Sequence, residues 1–211
     1  PTIEQSSTTY TVWANNSGGS STGSINITID PEPVPTLSYS PSALNLNNNT
    51  ISSDLPLAPT LTGPGTIATW GINASLPSGL TFSTTNGSIY GTPTELWNTT
   101  AYMVWANNSG GSTVAYLNIT VVDELPTLSY SPENLTLTKG QASSDLPLNA
   151  TLTGSGAITS WAIRPALPIG LSFGTSNGTI WGIPTVLQTT AVTYTVWANN
   201  SGGSSSASIN I

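Results

Sequence analysis

The chain has 211 residues, of which only two are Lys or Arg and nine are Asp or Glu, so its formal net charge is −7; it has no histidine and no cysteine. Two cations are too few to neutralise a phosphate backbone, which argues against nucleic-acid binding. Without Cys or His the usual ligands and bases of zinc, haem, iron–sulfur, Ser-His and Cys-His chemistry are missing. Serine (30), threonine (34) and asparagine (19) make up close to two residues in five. No apolar run approaches the roughly 20 residues of a membrane span, and no charged-then-apolar leader reads as a signal peptide. What remains is a polar, weakly charged protein of two or three β-type domains. The missing cysteines fit a reducing compartment or a disulfide-free surface protein equally.

Along the chain the patterns are those of short β-strands. Tyr10, Val12 and Ala14 share one face of a strand, with Thr11 and Trp13 on the other. Asn15-Asn16-Ser17-Gly18-Gly19 reads as a hairpin loop, and Ile25, Ile27 and Ile29 then alternate with Asn26 and Thr28. A proline-containing linker runs from Asp30 to Pro35. Further on, Trp70 and Ile72 lie on a mid-repeat strand, where the plain expectation is a tryptophan in the core. Phe82 and Ile89 flank Asn86-Gly87, which supplies the positive φ angles of a tight hairpin turn. Prolines at 56, 59, 64, 77 and 93 exclude long helices. Leu117, Ile119 and Val121 alternate around Asn118 and Thr120, and a second linker, Asp123 to Pro126, follows.

These elements recur. Tyr-x-Val-Trp-Ala-Asn-Asn-Ser-Gly-Gly-Ser starts at Tyr10, Tyr102 and Tyr194, a step of 92. Pro-Thr-Leu-Ser-Tyr-Ser-Pro starts at Pro35 and Pro126, a step of 91. Ser-Ser-Asp-Leu-Pro-Leu, Leu-Pro-x-Gly-Leu-x-Phe and Asn-Gly-x-Ile-x-Gly-x-Pro-Thr each occur twice. The fold expected is all-β: tandem antiparallel sandwiches of about seven strands, 91–92 residues per repeat, divided as 1–31 (the last strands of a partial repeat), 32–123 and 124–211. Pro1 aligns with Pro93 and Pro184, so the sequence starts inside a repeat. Either it is a segment of a longer array, or its first two strands complete a sandwich with another subunit.

Taken together, Trp-x-Ile, Leu-Pro-x-Gly-Leu-x-Phe, Asn-Gly-x-Ile-x-Gly-x-Pro-Thr and Tyr-x-Val-x-Ala-Asn-Asn-Ser-Gly-Gly resemble an Ig-like repeat family related to cadherin and dystroglycan-type domains. Such repeats stand in tandem in archaeal and bacterial surface proteins. The resemblance implies Ig-like sandwiches in an extracellular array, and implies no enzymatic activity.

Asn-x-Ser/Thr acceptor triplets stand at Asn15, Asn26, Asn48, Asn73, Asn86, Asn98, Asn107, Asn118, Asn134, Asn149, Asn177 and Asn199, against about six by chance. Covalent N-glycans would hydrate a chain with little charge and shield strand edges that lack lysine gatekeepers. Trp13, Trp105 and Trp197 each precede a triplet asparagine by two positions, so indole and amide leave the same face; the indole stacks on a glycan or contacts a neighbouring domain. The junction acids Asp30, Glu32, Asp123 and Glu124, with Asp54 and Asp145 inside the repeats, are the only metal-ligand candidates. They form a calcium site if loops add oxygens, and are otherwise solvated linker acids. The function expected is structural: an extracellular, heavily N-glycosylated fibre or cell-surface rod, without cofactor or enzymatic activity, contacting neighbouring copies of its own repeat. The alternative is an adhesin stalk or a carbohydrate-binding module using exposed tryptophans.

Overall fold

The computed structural model describes residues 3–154 and 156–211; Pro1, whose alignment with Pro93 and Pro184 is noted above, lies outside them. Every regular element among the described residues is a β-strand, as Thr-, Val- and Ile-rich alternation favours. The first two strands, β1 (Gln5–Asn16) and β2 (Gly19–Ile29), form an antiparallel hairpin in which Tyr10 faces Ile25 and Asn16 faces Gly19.

The next stretch contains β3 (Thr36–Ser38), β4 (Ala43–Asn47), β5 (Thr60–Thr62), β6 (Thr69–Ile72), β7 (Leu80–Phe82), β8 (Ile89–Gly91), β9 (Trp97–Asn108) and β10 (Gly111–Val122). One sheet runs β4-β10-β9-β6, while β3 pairs with β5 and β7 with β8. Their inward-facing residues, among them Leu37, Leu44, Leu46, Ile89, Tyr102, Val104, Leu117 and Ile119, form one buried core. The pairing of β4 with β10 is parallel, within an otherwise antiparallel unit. Pro41, which has no N–H to donate, stands where the chain leaves β3 and crosses to the sheet of β4; the Asn118 N–H then meets the Ser42 carbonyl at 3.0 Å.

The last stretch repeats the plan with β11 (Thr127–Tyr130), β12 (Ala150–Thr153), β13 (Ser160–Arg164), β14 (Leu171–Phe173), β15 (Ile180–Gly182), β16 (Thr193–Asn200) and β17 (Gly203–Asn210). Here the counterpart of β4 shrinks to a single parallel bridge between Asn134 and Asn210, although Leu135 beside it stays buried. A second, separate core forms around Leu128, Leu148, Trp161, Ile180, Val196 and Ile209. In the hairpin β1–β2, among the described residues, Tyr10, Val12, Ile25 and Ile27 are 40–61% exposed, where their repeat equivalents Tyr102, Val104, Leu117 and Ile119 are fully buried.

The Asn-Gly segment departs from the expected tight turn. Phe82 pairs with Ile89, so the connection is the six-residue loop Ser83–Ser88, and of the pair only Gly87 has a positive φ, 72°. The reason lies beneath the loop. Gly87 sits on the Trp70 indole, which leaves no room for a Cβ, and the Tyr39 hydroxyl donates to the Gly87 carbonyl at 2.6 Å. Gly178 (φ 70°), Trp161 and Tyr130 repeat the arrangement, again with a 2.6 Å hydrogen bond. Burial pushes the Tyr39 phenol up to about 12 and the Tyr130 phenol higher still, so both remain donors through ordinary pH. Both tryptophans take the inward place expected of them: Trp161 is buried and Trp70 packs half-buried against its core.

Candidate functional site

The thrice-repeated Asn-Asn-Ser-Gly-Gly segment forms the tip of each long hairpin. In the second copy Asn108 pairs with Gly111 and in the third Asn200 pairs with Gly203, leaving two-residue turns Ser109-Gly110 and Ser201-Gly202. An asparagine side chain closes each turn: Asn108 Oδ1 accepts from Gly110 N at 3.0 Å, and Asn200 Oδ1 from Gly202 N at 2.9 Å. Glycine is needed at the fifth position, where Gly111 and Gly203 hold φ at 142° and 138°.

The rest of the second and third tips grips the linker that leads into the same unit. Glu32 N donates to Ser109 Oγ at 3.3 Å, and Asp123 N donates to Ser201 Oγ at 2.7 Å. Asn108 Nδ2 donates to the Pro33 carbonyl at 2.9 Å, and Asn200 Nδ2 to the Glu124 carbonyl at 2.7 Å. Gly110 and Gly202 lie against the Glu32 and Asp123 carbonyl oxygens with no space for a side chain. Val34 and Leu125 then lean on Gly111 and Gly203. The acid completes the grip in two ways: Asp123 Oδ2 accepts from Ser201 Oγ at 2.9 Å, while the Glu32 carboxylate reaches Thr66, taking its N–H at 3.1 Å and its hydroxyl at 2.9 Å. The loop is a latch for a segment of the form Asp/Glu-x-Val/Leu-Pro.

The latch leaves no slack at the second junction. Val122 is the last residue of β10, paired with Asn47 of β4, and the next residue, Asp123, is already held by Ser201. At the first junction only Asp30 and Pro31 separate the end of β2 from Glu32.

The residues singled out from sequence distribute as follows. Glu32 and Asp123 serve the two latches, Glu124 contributes its carbonyl, and Asp30 is exposed. Asp54 and Asp145 sit in tight turns whose backbone N–H groups donate to Ser52 and Ser143 Oγ at 3.1 and 3.2 Å. Among the described residues no three acids come together as a metal-binding group. Trp105 and Asn107 do leave one face together, and both engage the neighbouring strand: the indole covers Gly71, while Asn107 Nδ2 donates to Thr69 Oγ1 at 3.2 Å. Trp197 and Asn199 follow suit beside Ala162 and Ser160, the latter at 2.9 Å from Asn199 Nδ2. Trp105 and Trp197 are therefore half-buried in their own units, whereas Trp13 is 65% exposed. Of the twelve triplet asparagines, Asn48, Asn107 and Asn199 are half-buried and Asn15, Asn26, Asn73, Asn86, Asn98, Asn118, Asn134, Asn149 and Asn177 are exposed.

Sequence reasoning missed the latch. Its signal was present: a two-residue turn needs one or two special residues, yet five identical ones recur three times, and an acid-x-apolar-Pro segment opens both full repeats.

A family model described as "Putative Ig domain" matches residues 34–122 and 125–211. The chain is also similar to the serine-rich adhesin for platelets of Staphylococcus aureus. Against the protein of strain MRSA252 it is 30% identical over 148 residues, covering 65% of this chain and 10% of the adhesin. Against that of strain MSSA476 the identity is again 30%, and 6% of the adhesin is covered. The chain thus spans a tenth or less of these relatives. Among solved structures, an I-band fragment of titin aligns over 97% of this chain and 74% of its own, at 18% identity and a TM-score of 0.46. A protocadherin gammaB7 fragment aligns over 97% and 57%, at 15% identity and a TM-score of 0.37.

Proposed function

The chain belongs to the "Putative Ig domain" family, with two copies of its unit, and from that footing we propose that it is a stiff spacer in an extracellular, N-glycosylated rod or fibre at the cell surface. The observation that carries this reading is the latched junction, where the last strand residue of one unit and the first held residue of the next are neighbours in sequence. A tether with no free residues transmits direction, and a spacer works by doing so. In the division into 1–31, 32–123 and 124–211, Glu32 stands in the unit whose Ser109 holds it, while the second boundary falls inside the latched linker, after Asp123, which Ser201 of the following unit holds. Catalysis has no part in the proposal, nor has a cofactor. The likeness to a serine-rich adhesin favours one specific form of rod, the stalk of an adhesin. The foreign-carbohydrate platform is less well supported, since Trp105 and Trp197 are half-buried against their own strands.

Glycans belong on amides that are exposed and not already donating. Glycopeptide mapping of the native protein is expected to find sugar at exposed sites such as Asn98 and Asn118. Asn107 and Asn199, whose Nδ2 groups donate to Thr69 and Ser160, are expected to be bare. A protein with no modified asparagine would sink the glycan coat. Electron microscopy of the native material separates the two forms of rod: long filaments with an axial repeat of one or two units mean a fibre, and discrete rods that never associate mean a stalk. Compact, unextended particles would overturn both.

A further inference from the structure

The outer face of the sheet β4-β10-β9-β6 carries side chains that the other two long hairpins lack. On it Trp105 stands opposite Val114 and Met103 opposite Tyr116, with Val114 46% and Tyr116 66% exposed. At the same positions the first hairpin pairs Trp13 with Thr22 and Thr11 with Ser24. The last pairs Trp197 with Ser206 and Thr195 with Ser208. Three of the four positions, polar in both other copies, are therefore apolar or aromatic in the middle unit alone. A contiguous block of this kind on the solvent face of so polar a chain calls for a cover.

The next position on that face supplies one. Asn118, the acceptor of Asn118-Ile119-Thr120, follows Tyr116 by two residues and leaves the same side of β10, about 7 Å along the strand. Its cross-strand neighbours are both small, Ala101 on β9 and Ala43 on β4. Where Ala101 stands, the other copies have Thr9 and Thr193, whose hydroxyls donate to Asn26 Oδ1 at 2.6 Å and Asn210 Oδ1 at 2.7 Å. Asn210 Nδ2 is engaged too, donating to Asn134 Oδ1 at 2.8 Å. The Asn118 amide is exposed and, among the described residues, has no hydrogen-bond partner. On its far side the Thr99 and Thr120 hydroxyls already bond each other at 2.8 Å, so the free surface lies toward Tyr116. We propose that Asn118 is a modification site whose sugar is seated on its own sheet, with the first ring between the two alanines and a C–H face on the Tyr116 ring. Stacking hides apolar surface on both partners while the sugar hydroxyls stay in water. The tether makes the contact intramolecular, so a weak attraction is enough to hold it. The glycan then lies flat over the block formed by Tyr116, Met103 and Val114 and closes that face to other chains.

The seat rests on the N-glycosylated reading above, and its test separates the two. Hydroxyl-radical footprinting of the native glycoprotein, followed peptide by peptide in a mass spectrometer, gives Tyr116 reactivity and Asn118 occupancy from one sample. The comparison chains are Asn118→Gln and Thr120→Ala, each produced in the source organism. Both abolish the acceptor triplet, and the second keeps the amide. The expected result is sugar at Asn118 and a Tyr116 ring several times less reactive in the native chain than in either variant. Tyr90, 46% exposed in the same unit, should react alike in all three. Sugar at Asn118 with Tyr116 equally reactive in native and variant chains would overturn the seat and leave the glycan coat standing. A bare Asn118 beside other modified asparagines would do the same, and a chain without any sugar would overturn both.

Discussion

Gly178→Ala is expected to destabilise the unit of residues 124–211 by about 2–5 kcal/mol and to leave the unit of residues 32–123 untouched. Two costs add. Gly178 holds φ at 70°, a left-handed conformation that costs an L-residue about 1–2 kcal/mol. The new methyl group would also fall on the six-membered ring of Trp161, a buried side chain that cannot swing away; forcing extra volume into a packed core typically costs about 1–3 kcal/mol. Shifting the loop to relieve the clash would break the 2.6 Å hydrogen bond from Tyr130 to the Gly178 carbonyl. Because the two units have separate cores, calorimetry of the variant should resolve two transitions where one has moved down and the other has stayed. An unmoved lower transition would contradict the account of the loop as a lid over the tryptophan, and a shift of both transitions would contradict the separation of the cores.

Gly202→Ala acts on the junction and not on the core. The Gly202 φ is not left-handed, so alanine suits the backbone, but its Cβ would press on the Asp123 carbonyl oxygen. That oxygen has little freedom to retreat, since Val122 before it is paired in β10. The linker must lift out, losing the bonds of Asp123 N to Ser201 Oγ and of Asn200 Nδ2 to the Glu124 carbonyl. At about 0.5–1.5 kcal/mol each, these amount to roughly 1–3 kcal/mol. Nitrogen relaxation should report it directly: the amides of Asp123, Glu124 and Leu125 match the strands in the wild type and become loop-like in the variant. Unchanged order in the variant would show that the tip does not hold the linker.

The strand set was legible because it rests on period-two alternation. Tyr10, Val12 and Ala14 do share a face, as do Tyr102, Val104 and Ala106, the last three fully buried. The parity of the Trp row was legible for the same reason, since Trp105 and Asn107 leave the opposite face together. What those two side chains meet was not, because Thr69 and Gly71 lie more than thirty residues away and reach them only through the pairing of β6 with β9. The Asn-Gly loop misled for a related reason. A two-residue turn is the local preference of that dipeptide, and it yields here to the demand that Gly87 lie on Trp70 and accept from Tyr39. The parallel placement of β4 and the latch are non-local too, and a window along the chain carries no direct sign of either. Read against each other, the identical loops and the acid-Pro linkers did hold the latch, because both recur in step.

The central claim is that adjacent units are joined without slack, and residual dipolar couplings of the wild-type chain in one aligned sample test it most directly. If the latch holds, residues 32–123 and 124–211 report a single alignment tensor, equal in magnitude and orientation. Two tensors of different magnitude would mean that the units reorient independently, and a stiff spacer built on this junction would then be ruled out.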